Sequence, residues 1–426
     1  MIKNFHKFEI SENIRLKLIK DDRFKTGTIS IGMYLPLNKE TVALNAILPF
    51  ILSKSCSKYK NFKNINKKLS DLYGSSLSGN VSKMGDIGIL SISGSFLDNR
   101  YTLYKEDTFA EMTKLLCDTI FRPNLINEKF PDKIINQEKR QLIELIESEF
   151  NDKKIFAKNR CIELMCKDEL FCINKYGTKE QVLKLSSQDI YEAWENILKN
   201  SKIEIMILGN TDGIFSLEEF KKEFSSIKRE NVKKCYSETI ESVENHKEQT
   251  DVIDISQSKL VLGFRTGLQK TQKEIMETRL MVTLYGATPQ SKLFLNVREQ
   301  LSLCYYCSSL YDRYKGIMMV QSGVEKKNVE KAKTEILNQL EEIKKGNFTQ
   351  NTLNSIKLSL INNYQTVGDY IGNLENFYSA QALDDIIISP EDCVEILNGV
   401  TKEQVIEAAN KVTLDAIYTL TNEVEI

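Results

Sequence analysis

With only two histidines, His6 and His246, in 426 residues, the chain has little imidazole with which to bind zinc, activate a serine or move a proton near neutral pH. Neither histidine has another at i+4, the spacing that puts two metal-ligating rings on one helix face. His6 reads as a strand-edge side chain and His246 as a residue of a polar connector. The run Gly74-Ser75-Ser76-Leu77-Ser78-Gly79 places serines between glycines, but the Gly-x-Ser-x-Gly spacing fails and no histidine base is at hand. A serine hydrolase is thereby excluded. Cys304-Tyr305-Tyr306-Cys307 is a single Cys-x-x-Cys. In a strand, two cysteines three apart point to opposite faces, so these thiols read as packing groups, as do Cys161, Cys166 and Cys172. No Gly-rich phosphate loop ending in Lys-Ser or Lys-Thr occurs, and nucleotide binding has no support. Acid or base carboxylates cannot be singled out among 59 acidic side chains.

The charge balance closes off further classes. With 58 basic residues against 59 acidic ones the net charge is −1, so no global field draws in nucleic acid or an anionic membrane. The basic cluster from Lys58 to Lys68 is interspersed with Asn and Ser and reads as a solvated helix face. Hydrophobic residues at 41% and charged residues at 27% fit a globular protein of two to three domains. No stretch approaches the roughly 18 to 20 apolar residues of a membrane span, and the first residues show no secretory apolar run. A cytoplasmic location is the expectation. Nine cysteines, an odd number spread from Cys56 to Cys393, then read as reduced thiols. The abundance of Lys, Ile and Asn suits an AT-rich bacterial genome.

The elements that must position any site follow from periodicity. Ile14 to Leu18 and Thr28 to Leu35 alternate as half-buried strands. Helices are expected over 41–52, over 64–72 ending at Tyr73-Gly74, and over 108–120. Alternating segments run from Ser75 to Phe96. A long charged helix spans about 132–150, and a capped helix over 186–198 feeds the strand 202–208. Residues 211 to about 257 are polar and read as a connector with one helix. A strand over 259–264, helices over 273–285 and 291–301, and alternation over 304–324 follow. Asn328 should cap an amphipathic helix that Gly346 ends.

The order of elements in the second half repeats the first. Leu185-Ser186-Ser187-Gln188-Asp189-Ile190-Tyr191-Glu192-Ala193 matches Val400-Thr401-Lys402-Glu403-Gln404-Val405-Ile406-Glu407-Ala408 in polarity and spacing. Each copy leads from a Ser or Thr cap through a helix into a closing strand. The reading is α+β: two tandem homologous domains, each a mostly antiparallel sheet packed with helices, at 1–213 and 257–426, with a connector at 214–256.

Over essentially the whole chain this organisation resembles the processing-peptidase subfamily of the insulinase/pitrilysin family, and implies its half-clamshell fold. Members carry His-x-x-Glu-His on the first helix, two imidazoles holding zinc and a glutamate activating water. Aligning Phe50-Ile51-Leu52-Ser53-Lys54-Ser55 with the segment after that motif puts Asn45 and Pro49 at the histidines and Leu48 at the glutamate. The third ligand is a glutamate seven residues after another acidic residue on a later helix. Matching Glu138 to that acidic residue puts Leu145 at the ligand, with Glu144 pointing off its face. The resemblance therefore implies no metal and no catalysis in this chain.

It also implies retained positions. Members carry, in the second domain, an Arg and seven residues later a Tyr that bind substrate backbone and steady the tetrahedral intermediate; Arg298 and Tyr305 fit this pair, with Ser302 where glycine is usual. Both groups donate to a carbonyl becoming an oxyanion. As residues alone they read equally as a surface Arg and a core Tyr. The segment Asp71 to Gly85 is similar to the zinc-less member of a peptidase-like pair associated in Firmicutes with modification of elongation factor P. In the family it leads into an edge strand, here about Ser78 to Ser91, able to pair with an extended peptide. The expectation is a pseudopeptidase subunit of a heterodimer whose zinc-bearing paralogue cleaves a peptide or small protein substrate. The alternative is a non-proteolytic peptide-binding scaffold, homodimeric in isolation.

Overall fold

The computed structural model describes residues 5–229 and 231–422. By contacts the chain divides into two compact units. One holds the chain through Ile146 together with Ile173–Tyr236 and Gly368–Ile387; the other holds Glu147–Cys172, Ser237–Val367 and the chain from Ile388 onward. This division follows contacts, whereas the boundaries at 213 and 256 follow the repeat, so the two partitions answer different questions.

The first unit is built on β1 (Phe5–Ser11), β2 (Ile14–Lys20), β3 (Thr26–Pro36), β4 (Leu77–Met84), β5 (Ile87–Leu97) and β6 (Lys202–Gly209). Their order is β1-β2-β6-β3-β5-β4; β2 runs parallel to β6 and the other neighbours are antiparallel. Alternation sorts the two faces. Ile14, Leu16, Leu18, Ile29, Ile31, Ile203, Ile205 and Ile207 enter the core, where they meet Ile47, Ile65, Leu116, Ile197 and Phe220 from helices. The intervening Lys17, Ser30 and Glu204 face the other way, onto a cavity of about 580 Å³ bounded in addition by Glu375 and Asn376 of the helix Ile371–Ser379. There the Lys17 ammonium lies 3.1 Å from the Glu204 carboxylate, and Lys202 lies 3.4 Å from it.

The second unit has β7 (Lys247–Val252), β8 (Ser258–Arg265), β9 (Cys304–Asp312), β10 (Ile317–Val324) and β11 (Thr413–Thr421) in the order β7-β11-β8-β10-β9, with β7 parallel to β11. This is the pattern β2-β6-β3-β5-β4 over again, parallel pair included, and it is the expected duplicated α+β domain. The matched segments sit alike: Ser186 and Thr401 each close a capping box on the helix that leads to β6 and β11. Arg265, 1% exposed, is satisfied by Asp415 at 2.6 Å and Glu169 at 2.6 Å, as a buried guanidinium requires.

Several expectations are corrected. The expected connector does carry one helix, Ile214–Ser225, but also contributes β7. β1 is a further strand outside the expected set. The run 78–91 is not one edge strand: Gly85, at φ 53°, turns it into a hairpin, and β4 alone is the edge. The α-helix expected to Tyr285 stops at Val282 and continues as a π-helical turn, and Leu293–Gln300 is π-helical throughout. Asn328 holds the cap position before Val329–Lys344 without a side-chain bond, because its own backbone is already helical. Gly346, at φ 75°, ends that helix as expected.

Candidate functional site

The helix Val42–Leu52 presents the first candidate positions. Leu48 is 2% exposed and Pro49 is buried, both on the core side, while Asn45 is half-buried and reaches back 3.5 Å to the Thr41 hydroxyl. Pro49 sits inside the helix and has no N–H, so the Asn45 carbonyl loses its intrahelical donor. Gly79 of β4 crosses directly over this spot: a Cβ there would stand 2.1 Å from the Pro49 carbonyl oxygen. A glycine inside a strand is the sequence signal for such an approach, and it is a signal the pattern of alternation alone does not use. On the helix Asp132–Asn151, Leu145 is 36% exposed and Glu144 is exposed.

Glu138 of that same helix is fully buried, and neither carboxyl oxygen has a hydrogen-bond partner among the described residues. Burial raises its pKa, with Lys54 opposing weakly. An amide, an isobutyl group and a pyrrolidine ring cannot grip a divalent cation, and among the described residues no group of three His, Cys, Asp or Glu side chains could do so. The residues present do not fit zinc.

Arg298 and Tyr305 belong to the second unit. Arg298 lies near the end of the π-helix Leu293–Gln300. Its guanidinium carbon is 4.5 Å above the Phe294 ring and its Nε is 3.5 Å from the Glu299 carboxylate. Phe294, four residues earlier, supports the cation from below, a pairing the sequence spacing allows but does not announce. The Leu301 amide bonds the Asn296 carbonyl at 3.1 Å and the Leu303 amide the Val297 carbonyl at 3.0 Å. Between them Ser302 takes φ 51°. The turn keeps the left-handed backbone that glycine favours although the residue is serine. β9 then starts on the sheet edge with Tyr305 64% exposed.

Residues 184–360, which contain Arg298 and Tyr305, match the family described as Peptidase M16 inactive domain. The chain is 28% identical to the probable inactive metalloprotease YmfF of Bacillus subtilis, over 95% of this chain and 94% of that protein. The chain is thus similar over residues 184–360 to the inactive domain of the M16 peptidases and, along nearly its whole length, to a probable inactive metalloprotease. A conserved protein from Enterococcus faecalis superposes with a TM-score of 0.91 at 26% identity, each chain covered in full at 100%. The ferredoxin protease FusC, solved as a mutant in complex with Arabidopsis ferredoxin, shares the fold at a TM-score of 0.70 and 10% identity; 99% of this chain covers 45% of that one. Within the M16 fold, Arg298 and Tyr305 are brought to one turn and strand start, while Asn45, Leu48 and Pro49 are turned into helix packing. No described helix is long and apolar enough to cross a membrane.

The dithiol reading of the sequence is corrected in this region. Val324 faces Cys304, Gly323 faces Tyr306 and Ser322 faces Cys307 across the β9–β10 ladder. Tyr305 is therefore the extra residue of a β-bulge, and the two cysteines share a face. The spacing rule fails because it assumes an unbroken strand.

Proposed function

We propose that this chain is the non-catalytic subunit of a two-subunit zinc peptidase, binding an extended peptide and lending Arg298 and Tyr305 to the active site of a zinc-bearing paralogue. Asn45, Leu48, Pro49 and Leu145 stand, on this reading, where the active relatives hold two histidines, a glutamate base and a third ligand. Zinc belongs to the partner.

The observation that carries the reading is Tyr305 held out into solvent on an edge strand, beside a turn that keeps a left-handed residue and an arginine seated on Phe294. No packing need explains an exposed tyrosine there. A guanidinium and a phenol both donate to a peptide oxygen as it gains negative charge, and neither is consumed. β4 and β9 are each the last strand of their sheet among the described residues, and such an edge suits an extended peptide, whose backbone can add as a further strand with little regard to its side chains. The FusC chain is long enough for a second unit of this size, which favours pairing over a solitary role.

The test is co-expression with the zinc-motif paralogue, with peptide turnover measured for Arg298→Ala and Tyr305→Phe. Each should lower turnover by about 10²-fold while the complex still forms. Unchanged turnover in both variants removes the contribution in trans. Peptide binding by the isolated chain, with no paralogue recruited, would favour the scaffold.

A further inference from the structure

The bulge in β9 does more than expose Tyr305. Directly opposed residues of an antiparallel pair share a face, and Val324 and Ser322, two apart on β10, share theirs. Cys304 and Cys307 oppose them. The two cysteines are thus separated by the length of two partner-strand residues, about 6.8 Å, at the upper end of the Cα separations a disulfide can bridge. Both are buried, but Cys304 retains 9% exposure at the start of the outermost strand. The Ser322 hydroxyl, on the same face, donates to the Tyr306 carbonyl at 3.0 Å and ties the bulge to β10.

The two thiols also titrate as a pair. Cys304 lies below the ordinary thiol value, lowered by Cys307, by Ser322 and by Arg298 against the opposing effect of burial. Cys307 keeps its proton. Burial pushes Cys166 and Cys393 up to about 12 and Cys235 up to about 11. Among the described thiols with a resolved shift, Cys304 is the one lowered.

We infer that Cys304 and Cys307 form a reversible dithiol–disulfide couple that closes across the bulge carrying Tyr305. The oxidant is a low-molecular-weight disulfide. The Cys304 thiolate attacks one of its sulfurs and expels a thiolate, giving a mixed disulfide. Loss of the Cys304 charge removes what held the Cys307 proton, and Cys307 attacks the Cys304 sulfur, releasing the second small thiol. Two electrons pass to the small disulfide, and the two protons leave with the two thiols formed. A closed disulfide pins the bulge. Any effect on peptide binding rests on the reading of Tyr305 given above; the couple itself does not.

The test uses the full native chain equilibrated in mixtures of reduced and oxidised glutathione, quenched by alkylation and digested with trypsin. The fragment 299–313 contains Cys304, Cys307 and no other cysteine. It should become lighter by two hydrogens, return to the dithiol with dithiothreitol, and do so while circular dichroism stays native and the other seven cysteines remain free. Cys307→Ser should stop at a glutathione adduct on Cys304. The inference is overturned if the wild-type fragment stays reduced, holds an unresolved adduct, or oxidises only once the chain unfolds. These outcomes are decided on wild-type protein, so a variant that fails to fold changes nothing. Peptide turnover equal in both redox forms would count against the role of Tyr305, not against the couple.

Discussion

The helix Val42–Leu52 and the turn from Leu293 to Tyr305 have been treated in opposite ways. In the first, the positions that could do chemistry are absorbed into packing: Leu48 and Pro49 are buried, and Gly79 lies against the Pro49 carbonyl. In the second, Arg298 and Tyr305 stay exposed, and Ser302 holds a left-handed backbone with no glycine. Packing selects residues by shape and apolarity; it does not explain a strained turn that ends in an exposed phenol. The difference teaches that the first region contributes to stability while the second leaves its polar side chains outside the packing, and each can be broken separately.

The largest effect should come from Leu48→Glu. A carboxylate in a 2% exposed site with no metal to meet it should cost about 4 kcal/mol of unfolding free energy, read from urea denaturation. Retained stability together with bound zinc would mean that the helix is a metal site in disguise. Gly79→Ala comes next. Its Cβ would collide with backbone, the Pro49 carbonyl at 2.1 Å, which no side-chain rotation relieves. A loss of about 3 kcal/mol is expected, and a silent substitution would show that strand and helix are not sealed together.

The second region should answer in the reverse sense. Tyr305→Ala should change stability by less than about 0.5 kcal/mol, as an exposed substitution does. Ser302→Gly should raise it by about 1 kcal/mol by relieving the left-handed backbone. If Tyr305→Ala unfolds the chain, the residue is structural and the contrast between the regions collapses.

Where the sequence was legible, one strand or helix carried its own pattern. Ile14, Leu16 and Leu18 alternate because one face of β2 is buried, and the Ser186 and Thr401 capping boxes declare the repeat. Where it was not, the deciding partner lay elsewhere in the chain. β7, Lys247–Val252, is an edge strand with no fully buried residue, so nothing in its own composition distinguishes it from a connector; β11 makes it a strand. The shared face of Cys304 and Cys307 depends on the register of β10. The π-helical path that brings Arg298 above Phe294 depends on bonds such as Leu301 to Asn296, one residue longer than the α-helical period assumes. Substituted metal positions could be proposed from the residue types alone; what seals them could not.

The finest test of the contrast is Glu138, a charged type left inside the region that packing has taken over. Its oxygens have no hydrogen-bond partner among the described residues, and burial holds its pKa above the ordinary glutamate value. As pH rises through the ordinary range, the unfolded chain releases this proton while the folded one keeps it. Stability therefore falls with rising pH until the folded carboxyl ionises in turn; the contribution is whole in acid below the unfolded pKa and lost above the folded one. Glu138→Gln should abolish that part of the slope. The variant should match the parent in acid, where both side chains are neutral, and exceed it increasingly toward neutral pH. Urea midpoints measured from acid to neutral pH decide it. A parent that gained stability over the variant as pH rose would mean that Glu138 is ionised and paired in the folded chain, so that this region still holds a charge and has not been given over to packing; parallel curves would mean that burial leaves its pKa unmoved.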